Sequence, residues 1–284
     1  MGFKRFIRKV ARFILANTDS KKIEVNISQI SNKEMLKDKN ILITGGGSGL
    51  GLAMAIKFYN CGATVIISGR NENKLKKAIK TIGPKAKYIK FDVTNFNATT
   101  SILERIKKDY NIKINTLICN AGISLHENIF TNVTEETFDK QFNTNFKANY
   151  FISKYFLEFC KNENINNGNV LFISSESGSQ NYDTPYGLTK SSLNSLVGAL
   201  SRRVYKDGIR VNAISPGVTA SEMTKEYADI SDGNVYRKCS SDRVFLAEEV
   251  AEVASFLISD AAKCISGEII HTNAGNHLNP FWEE

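Results

Sequence analysis

A phenol and an ammonium stand four residues apart in the stretch TPYGLTKSS, at Tyr186 and Lys190. On a helix that spacing places the two side chains one above the other on a single face. A positive charge beside a tyrosine favours the phenolate and lowers a pKa that is ordinarily about 10. Such a pair can pass a proton to or from a reacting oxygen. Tyr and Lys four apart also occur by chance in many helices, so the surrounding elements must decide what the pair is for.

From Asn40 the chain reads NILITGGGSGLGLAMAIKFYNCGATVIISGR. Residues 41–44 read as a short buried strand, and 50–59 have helical apolar spacing. Between them lies a turn with Gly45, Gly46, Gly47, Gly49 and Gly51. Glycines let a backbone approach a pyrophosphate closely, and the helix N-terminus that follows offers unpaired N–H groups. A strand at 64–68 completes a βαβ unit. Thr44, Gly45, Gly47, Ser48, Gly49, Leu50 and Gly51 are therefore the expected dinucleotide cradle. An acid at the tip of the second strand would bind the ribose hydroxyls of NAD, whereas an arginine accommodates the 2′-phosphate of NADP. This strand ends in Ser68-Gly69-Arg70, with Glu72 displaced into the next loop, and favours NADP(H) over NAD(H).

The bulk properties agree with an enzyme-sized α/β body. The chain has 284 residues, of which 42% are hydrophobic and 23% charged, enough for a sizeable core. Five dispersed cysteines without a Cys-x-x-Cys pair point to reduced thiols and a cytoplasmic setting. His126, His271 and His277 form no metal-ligand spacing, so no metal is expected. Of the net charge of +8, residues 1–12 supply five basic residues and no acid. The mildly basic remainder argues against a nucleic-acid partner and leaves room for a phosphate-bearing ligand.

Residues 1–38 read as an attachment: a basic amphipathic helix followed by a polar linker. In MGFKRFIRKVARFILAN the apolar residues recur at helical steps, with the basic residues on the other face. Three readings stay open for this helix. It packs on its own domain or a partner subunit, lies peripherally on an anionic membrane through residues 1–16, or serves as a presequence. The folded domain is expected from Lys39 to Glu284.

With Thr44-Gly-x-x-x-Gly-x-Gly51 at one end and Tyr186-x-x-x-Lys190 at the other, the chain resembles the short-chain dehydrogenases/reductases, in particular their 3-oxoacyl-carrier-protein reductases. The resemblance covers about residues 39–276. It implies a Rossmann-type, doubly wound parallel sheet in the order 3-2-1-4-5-6 with a seventh strand added, helices on both faces. It also implies a homodimer or homotetramer acting on a small-molecule carbonyl or alcohol. Residue by residue, it makes Asp92 the contact to the adenine ring, with Val93 beside it. Asn120-Ala121-Gly122 becomes the turn next to the cofactor, and Asn145 the asparagine that positions a proton-relaying water. Pro216 and Gly217 would close over the nicotinamide, and Ser221 would reach its amide. In the run SSESG, Ser175 aligns with the catalytic serine and Ser174 is the alternative; the distance to Tyr186 is shorter than is usual in the family.

By the same resemblance Tyr186 is the general acid, Lys190 its tuner and a ribose contact, and Ser175 the hydrogen-bond donor to the substrate oxygen. The expected activity is NADPH-dependent carbonyl reduction. Oxidation of a secondary alcohol, sugar or polyol uses the same residues in reverse, and a non-catalytic cofactor-binding scaffold or membrane-surface assembly protein is the reading from another class. Substrate choice falls to the loop at 218–242, which mixes charged and aromatic residues. The C-terminal HTNAGNHLNPFWEE departs from the family pattern, and its aromatic end is expected to pack over the protein's own body.

Overall fold

The computed structural model describes residues 33–127, 129–225, 236 and 239–278. Among these described residues seven strands run in chain order: β1 (Asn40–Thr44), β2 (Thr64–Gly69), β3 (Lys87–Lys90), β4 (Thr116–Cys119), β5 (Gly168–Ile173), β6 (Ile209–Pro216) and β7 (Ile269–Thr272). They form one sheet in the order β3-β2-β1-β4-β5-β6-β7, and every pairing is parallel. The expected strand order is present. Parallel strands covered on both faces read as unbroken apolar runs rather than alternating ones. VII of β2 and VLFI of β5 are such runs, and every residue of β4, β5 and β6 is buried.

Among the described residues, seven helices cover the sheet: α1 (Gly49–Asn60), α2 (Glu72–Ile82), α3 (Thr99–Tyr110), α4 (Glu135–Gln141), α5 (Ala148–Asn162), α6 (Pro185–Val204) and α7 (Ala247–Ile258). The alternation of side chains along β1 divides the core into two layers. Ile41 and Ile43 join Met54 and Phe58 of α1 and Val250 and Leu257 of α7. Leu42 joins Phe156 of α5, Leu193 and Val197 of α6 and Leu103 of α3. Each fully buried side chain of this size contributes about 1.5–3 kcal/mol of transfer free energy.

Local sequence explains the helix ends. Asn71 caps α2 by accepting from the Lys74 backbone N–H at 3.0 Å, and Leu75, Ala78 and Ile82 form its buried stripe. Pro185 stands at the start of α6, where its missing N–H costs nothing. Between α4 and α5 the chain opens into a π-helical segment at Phe142–Lys147. The packed body also reaches further back than Lys39. Leu36 is fully buried, and its N–H donates to the Cys61 carbonyl at 2.9 Å.

The chain leaves β1 toward β2 and β3, then returns to β4 on the other side of β1. At that switch point the carboxyl ends of β1 and β4 diverge and leave a crevice, the usual ligand position in such sheets.

Candidate active site

The crevice is floored by the glycine turn between β1 and α1. A Cβ on Gly51 would fall inside the van der Waals envelope of the Gly45 carbonyl oxygen, so only glycine lets the helix start this close to the strand. Gly49 has a φ of +52°, and a Cβ there would meet only Ser221, 3.6 Å away. Its missing side chain leaves the crevice open. Ser48 precedes the helix without a side-chain cap bond, which leaves first-turn N–H groups of α1 for an anion. This cradle fits the pyrophosphate of a dinucleotide.

Thr44 ties the turn to its neighbour across the switch point. Its Oγ1 donates to the Ile118 carbonyl at 3.2 Å and accepts from the N–H groups of Asn120 and Ala121 at 3.0 and 3.1 Å. Asn120 answers through Nδ2, donating to the carbonyls of Thr44 and Gly45 at 2.9 and 3.1 Å. The two loops are thus one hydrogen-bonded unit. Thr44 itself is fully buried beneath the cleft.

Above the cradle runs a cleft of about 590 Å³. Gly45, Ser48, Gly49, Leu50, Gly51, Arg70, Asp92, Val93, Asn120, Ala121, Gly122, Tyr186, Lys190 and Ser221 all line it. Thr44, Gly47, Pro216 and Gly217 lie outside the lining, as supports. Pro216 is the last residue of β6, and the Gly217 N–H donates to the Thr272 carbonyl at 3.2 Å. Arg70 opens onto the cleft. Glu72 does not: it accepts from the Tyr88 hydroxyl at 3.1 Å and pairs with Lys76 at 2.8 Å. Both partners hold its carboxyl below the usual range, Lys76 foremost.

Tyr186 and Lys190 lie in the first turns of α6, with the Lys190 ammonium 5.5 Å from the centroid of the Tyr186 ring. Lys190 is 5% exposed and donates to the Ile173 carbonyl at 2.9 Å. Burial pulls its pKa down to about 8. An amine that titrates near neutrality is poised to exchange a proton with its surroundings.

The two serines differ in their partners. Ser174 is nearly buried, and its Oγ donates to Asn194 Oδ1 at 2.6 Å. Ser175 Oγ makes only long contacts, at 3.3 Å to the Ser177 N–H and 3.4 Å to the Ser177 hydroxyl. Ser174 lines the cleft and Ser175 stands just beyond it. Asn145 sits in the π-helical segment, fully buried. Its carboxamide clamps Ile123, accepting from the N–H and donating to the carbonyl, both at 2.8 Å. The clamp holds Gly122 so close that a Cβ there would lie 3.7 Å from Lys190 Nζ.

A glycine turn, Arg70 and a lysine-backed tyrosine therefore share one cleft. Comparison with known proteins agrees with that arrangement. Residues 45–277 match the family model described as enoyl-(acyl carrier protein) reductase. The 3-oxoacyl-(acyl-carrier-protein) reductase of Rickettsia conorii is 32% identical over 244 residues, covering 84% of this chain and 97% of that one. The chain is a short-chain dehydrogenase/reductase.

As a member of that family it is an NAD(P)-dependent oxidoreductase acting on CH–OH and C=O groups. Solved structures share the fold. A short-chain type dehydrogenase/reductase from Mycobacterium marinum superposes with a TM-score of 0.78 at 24% identity, covering 86% of this chain and 97% of that one. A 3-ketoacyl-(acyl-carrier-protein) reductase from Brucella melitensis complexed with NADH gives 0.77 at 24% identity, covering 85% and 99%.

Other features of this short-chain dehydrogenase/reductase were not foreseen. Lys74 donates to both oxygens of Glu222, at 2.8 and 3.1 Å, and Glu222 lines the cleft. Asn194, Glu176, Asn273 and Asn276 form polar contacts behind the serine turn. No short-range pattern marks them. Among the described residues no cluster could hold a metal, and no helix is long and apolar enough to cross a membrane. The amphipathic helix expected at residues 1–16, residues 226–235 and 237–238 of the loop expected to choose the substrate, and the terminal aromatics Phe281 and Trp282 lie outside the described residues.

Proposed function

We propose that the protein reduces the ketone of a 3-oxoacyl thioester or a related carbonyl compound with NADPH. The observation that carries this reading is the buried Lys190 ammonium over the Tyr186 ring, beside a dinucleotide cradle in the same cleft. The names of the curated relatives support the substrate class. Arg70 on the cleft, with Glu72 engaged elsewhere, supports NADPH. The nicotinamide, when bound, supplies the hydride to the carbonyl carbon.

The chain's own residues handle the oxygen. Tyr186 gives its phenolic proton to the oxygen as the C=O bond becomes C–OH. The Lys190 charge stabilises the phenolate left behind. Ser175 donates a hydrogen bond to the same oxygen, since its hydroxyl is the less committed of the two serines. Both ends of the Asn145 carboxamide are engaged, Oδ1 and Nδ2 by Ile123 and Nδ2 also by Thr189 Oγ1 at 3.4 Å, so a relay water would use its main-chain carbonyl. That carbonyl already accepts from the side chain of Asn149, through Nδ2 at 2.7 Å.

The working form is a homodimer or homotetramer in the cytoplasm. In keeping with a reducing compartment, Cys61, Cys119, Cys160, Cys239 and Cys264 are all free thiols. The test is NADPH consumption by the purified protein with a short 3-oxoacyl thioester. Steady turnover is expected. Turnover only of alcohols with oxidised cofactor, and none of carbonyls, would overturn the proposal.

A further inference from the structure

The C-terminal segment that departs from the family pattern is built into the back of the serine turn. Glu176 follows Ser175 directly and is 9% exposed. Its Oε2 accepts from Asn273 Nδ2 at 3.2 Å and from Asn276 Nδ2 at 3.0 Å. Asn276 reaches two further elements. Its carbonyl accepts from Gln180 Nε2 at 3.3 Å, and its Oδ1 accepts from the Ser240 N–H and hydroxyl at 3.1 and 3.2 Å. Ser240 belongs to the far end of the substrate loop.

Asn273 supports the turn after β6. A Cβ on Gly217 would lie 2.9 Å from the Asn273 Cβ, so the two backbones pack with no room to spare. Asn273 Oδ1 is held in turn by His277 Nδ1 at 3.0 Å. His277 stacks on His271 with ring centroids 3.6 Å apart and planes 6° apart. His271 Nε2 meets Ser179 Oγ at 2.7 Å, and Ser179 accepts from Asn194, the partner of Ser174. These hydrogen bonds, linked through the one histidine stack, run from Asn194 to Asn273 behind the serine turn, and Glu176 is the buried carboxylate among them.

We infer that Glu176 is a positioning residue for the reaction, bracing the Ser175 turn against Asn273 and Asn276 and so holding the substrate loop's end in register with it. The inference rests on the reading of Ser175 as the substrate-facing hydroxyl. Glu176 itself lies outside the cleft lining and touches no reacting atom. A carboxylate is suited to this work because one oxygen accepts two amide donors at once. Misplacing a substrate-facing group by about 1 Å is enough to cost on the order of a hundredfold in rate.

The test uses full-length protein, NADPH and a 3-oxoacyl thioester, with Ser175→Ala measured in parallel. Glu176→Gln keeps an oxygen for both donors and is expected to stay within about threefold of wild type. Glu176→Leu is expected to lose about tenfold or more in kcat while its KM for NADPH holds. Asn276→Asp is the sharper variant, because it sets a second carboxyl against Glu176. Two carboxyls at that distance share a proton and cannot both ionise without repulsion. Its rate relative to wild type is expected to fall as pH rises from about 6 to 8, and adding Glu176→Gln should abolish that pH dependence.

His271, His277 and Tyr182 are the other titratable groups packed here and are unchanged in all these variants. An unaltered kcat in Glu176→Leu, or a flat relative pH profile in Asn276→Asp, would overturn the brace. If Ser175→Ala keeps full turnover, the reading of the site has failed instead.

Discussion

Thr44 offers a direct test of how the cleft is assembled. Its hydroxyl has one proton and two lone pairs, and all three are used: by Ile118, Asn120 and Ala121. Thr44→Val preserves shape and removes every one of these bonds. Two backbone N–H groups then lose their acceptor, each at a cost of about 1–3 kcal/mol. Because Asn120 and Ala121 line the open cleft, where water can replace part of the loss, the sum should fall at about 2–4 kcal/mol. That is roughly 30- to 700-fold in the folding equilibrium.

Thr44→Ser is the control. It keeps the hydroxyl and gives up one buried methyl, for about 1 kcal/mol. The assay is urea unfolding of both variants, reading the midpoint at constant slope. NADPH binding by the folded fraction should also weaken in the Val variant, since the cradle and the Asn120 turn no longer move as one. If Val and Ser differ by less than about 0.5 kcal/mol, the hydroxyl is not what joins β1 to β4.

Arg70→Ala is expected to weaken NADPH binding by about tenfold to a hundredfold, the worth of one charge-assisted contact, and to leave NADH binding unchanged. Equal losses for both cofactors in a fluorescence titration would remove Arg70 from the 2′-phosphate. Lys190 predicts two pH effects of opposite sign. Its pKa of about 8 in the folded protein lies below the ordinary lysine value, so the unfolded chain binds this proton more tightly. Stability should therefore rise with pH above about 8, and Lys190→Met should lack that rise in urea midpoints. Reduction should instead slow above about pH 8 as the ammonium beside Tyr186 is lost, and a flat rate profile there would contradict the assignment.

What could be read along the chain was what is written in consecutive residues. The glycine turn, Arg70 at the tip of β2 and the Tyr186–Lys190 pair each depend on short spacings. Strand runs such as VLFI are nearly unbroken because both sheet faces are covered. The remaining features depend on residues brought together from far apart. Asn276 meets Glu176 across 100 positions and Glu222 meets Lys74 across 148, and neither pair has a periodicity to betray it. The run of two hydroxyls put Ser175 first only by resemblance, and nothing in it showed that Asn194, far along the next helix, engages Ser174. Leu36 was hidden for another reason: an adjacent pair, Met35-Leu36, in a polar stretch shows no periodicity, yet Leu36 is fully buried beside the end of α1.

The central claim is that Tyr186 is the proton donor in a carbonyl reduction. It is tested most directly by turnover of Tyr186→Phe with NADPH and a 3-oxoacyl thioester, alongside NADPH binding to the same sample. The variant loses only the phenolic oxygen, so binding should stay within about threefold while turnover falls by a factor of about 10² to 10⁴. Turnover that stays near wild type with cofactor still bound would place the proton donor elsewhere and contradict the account.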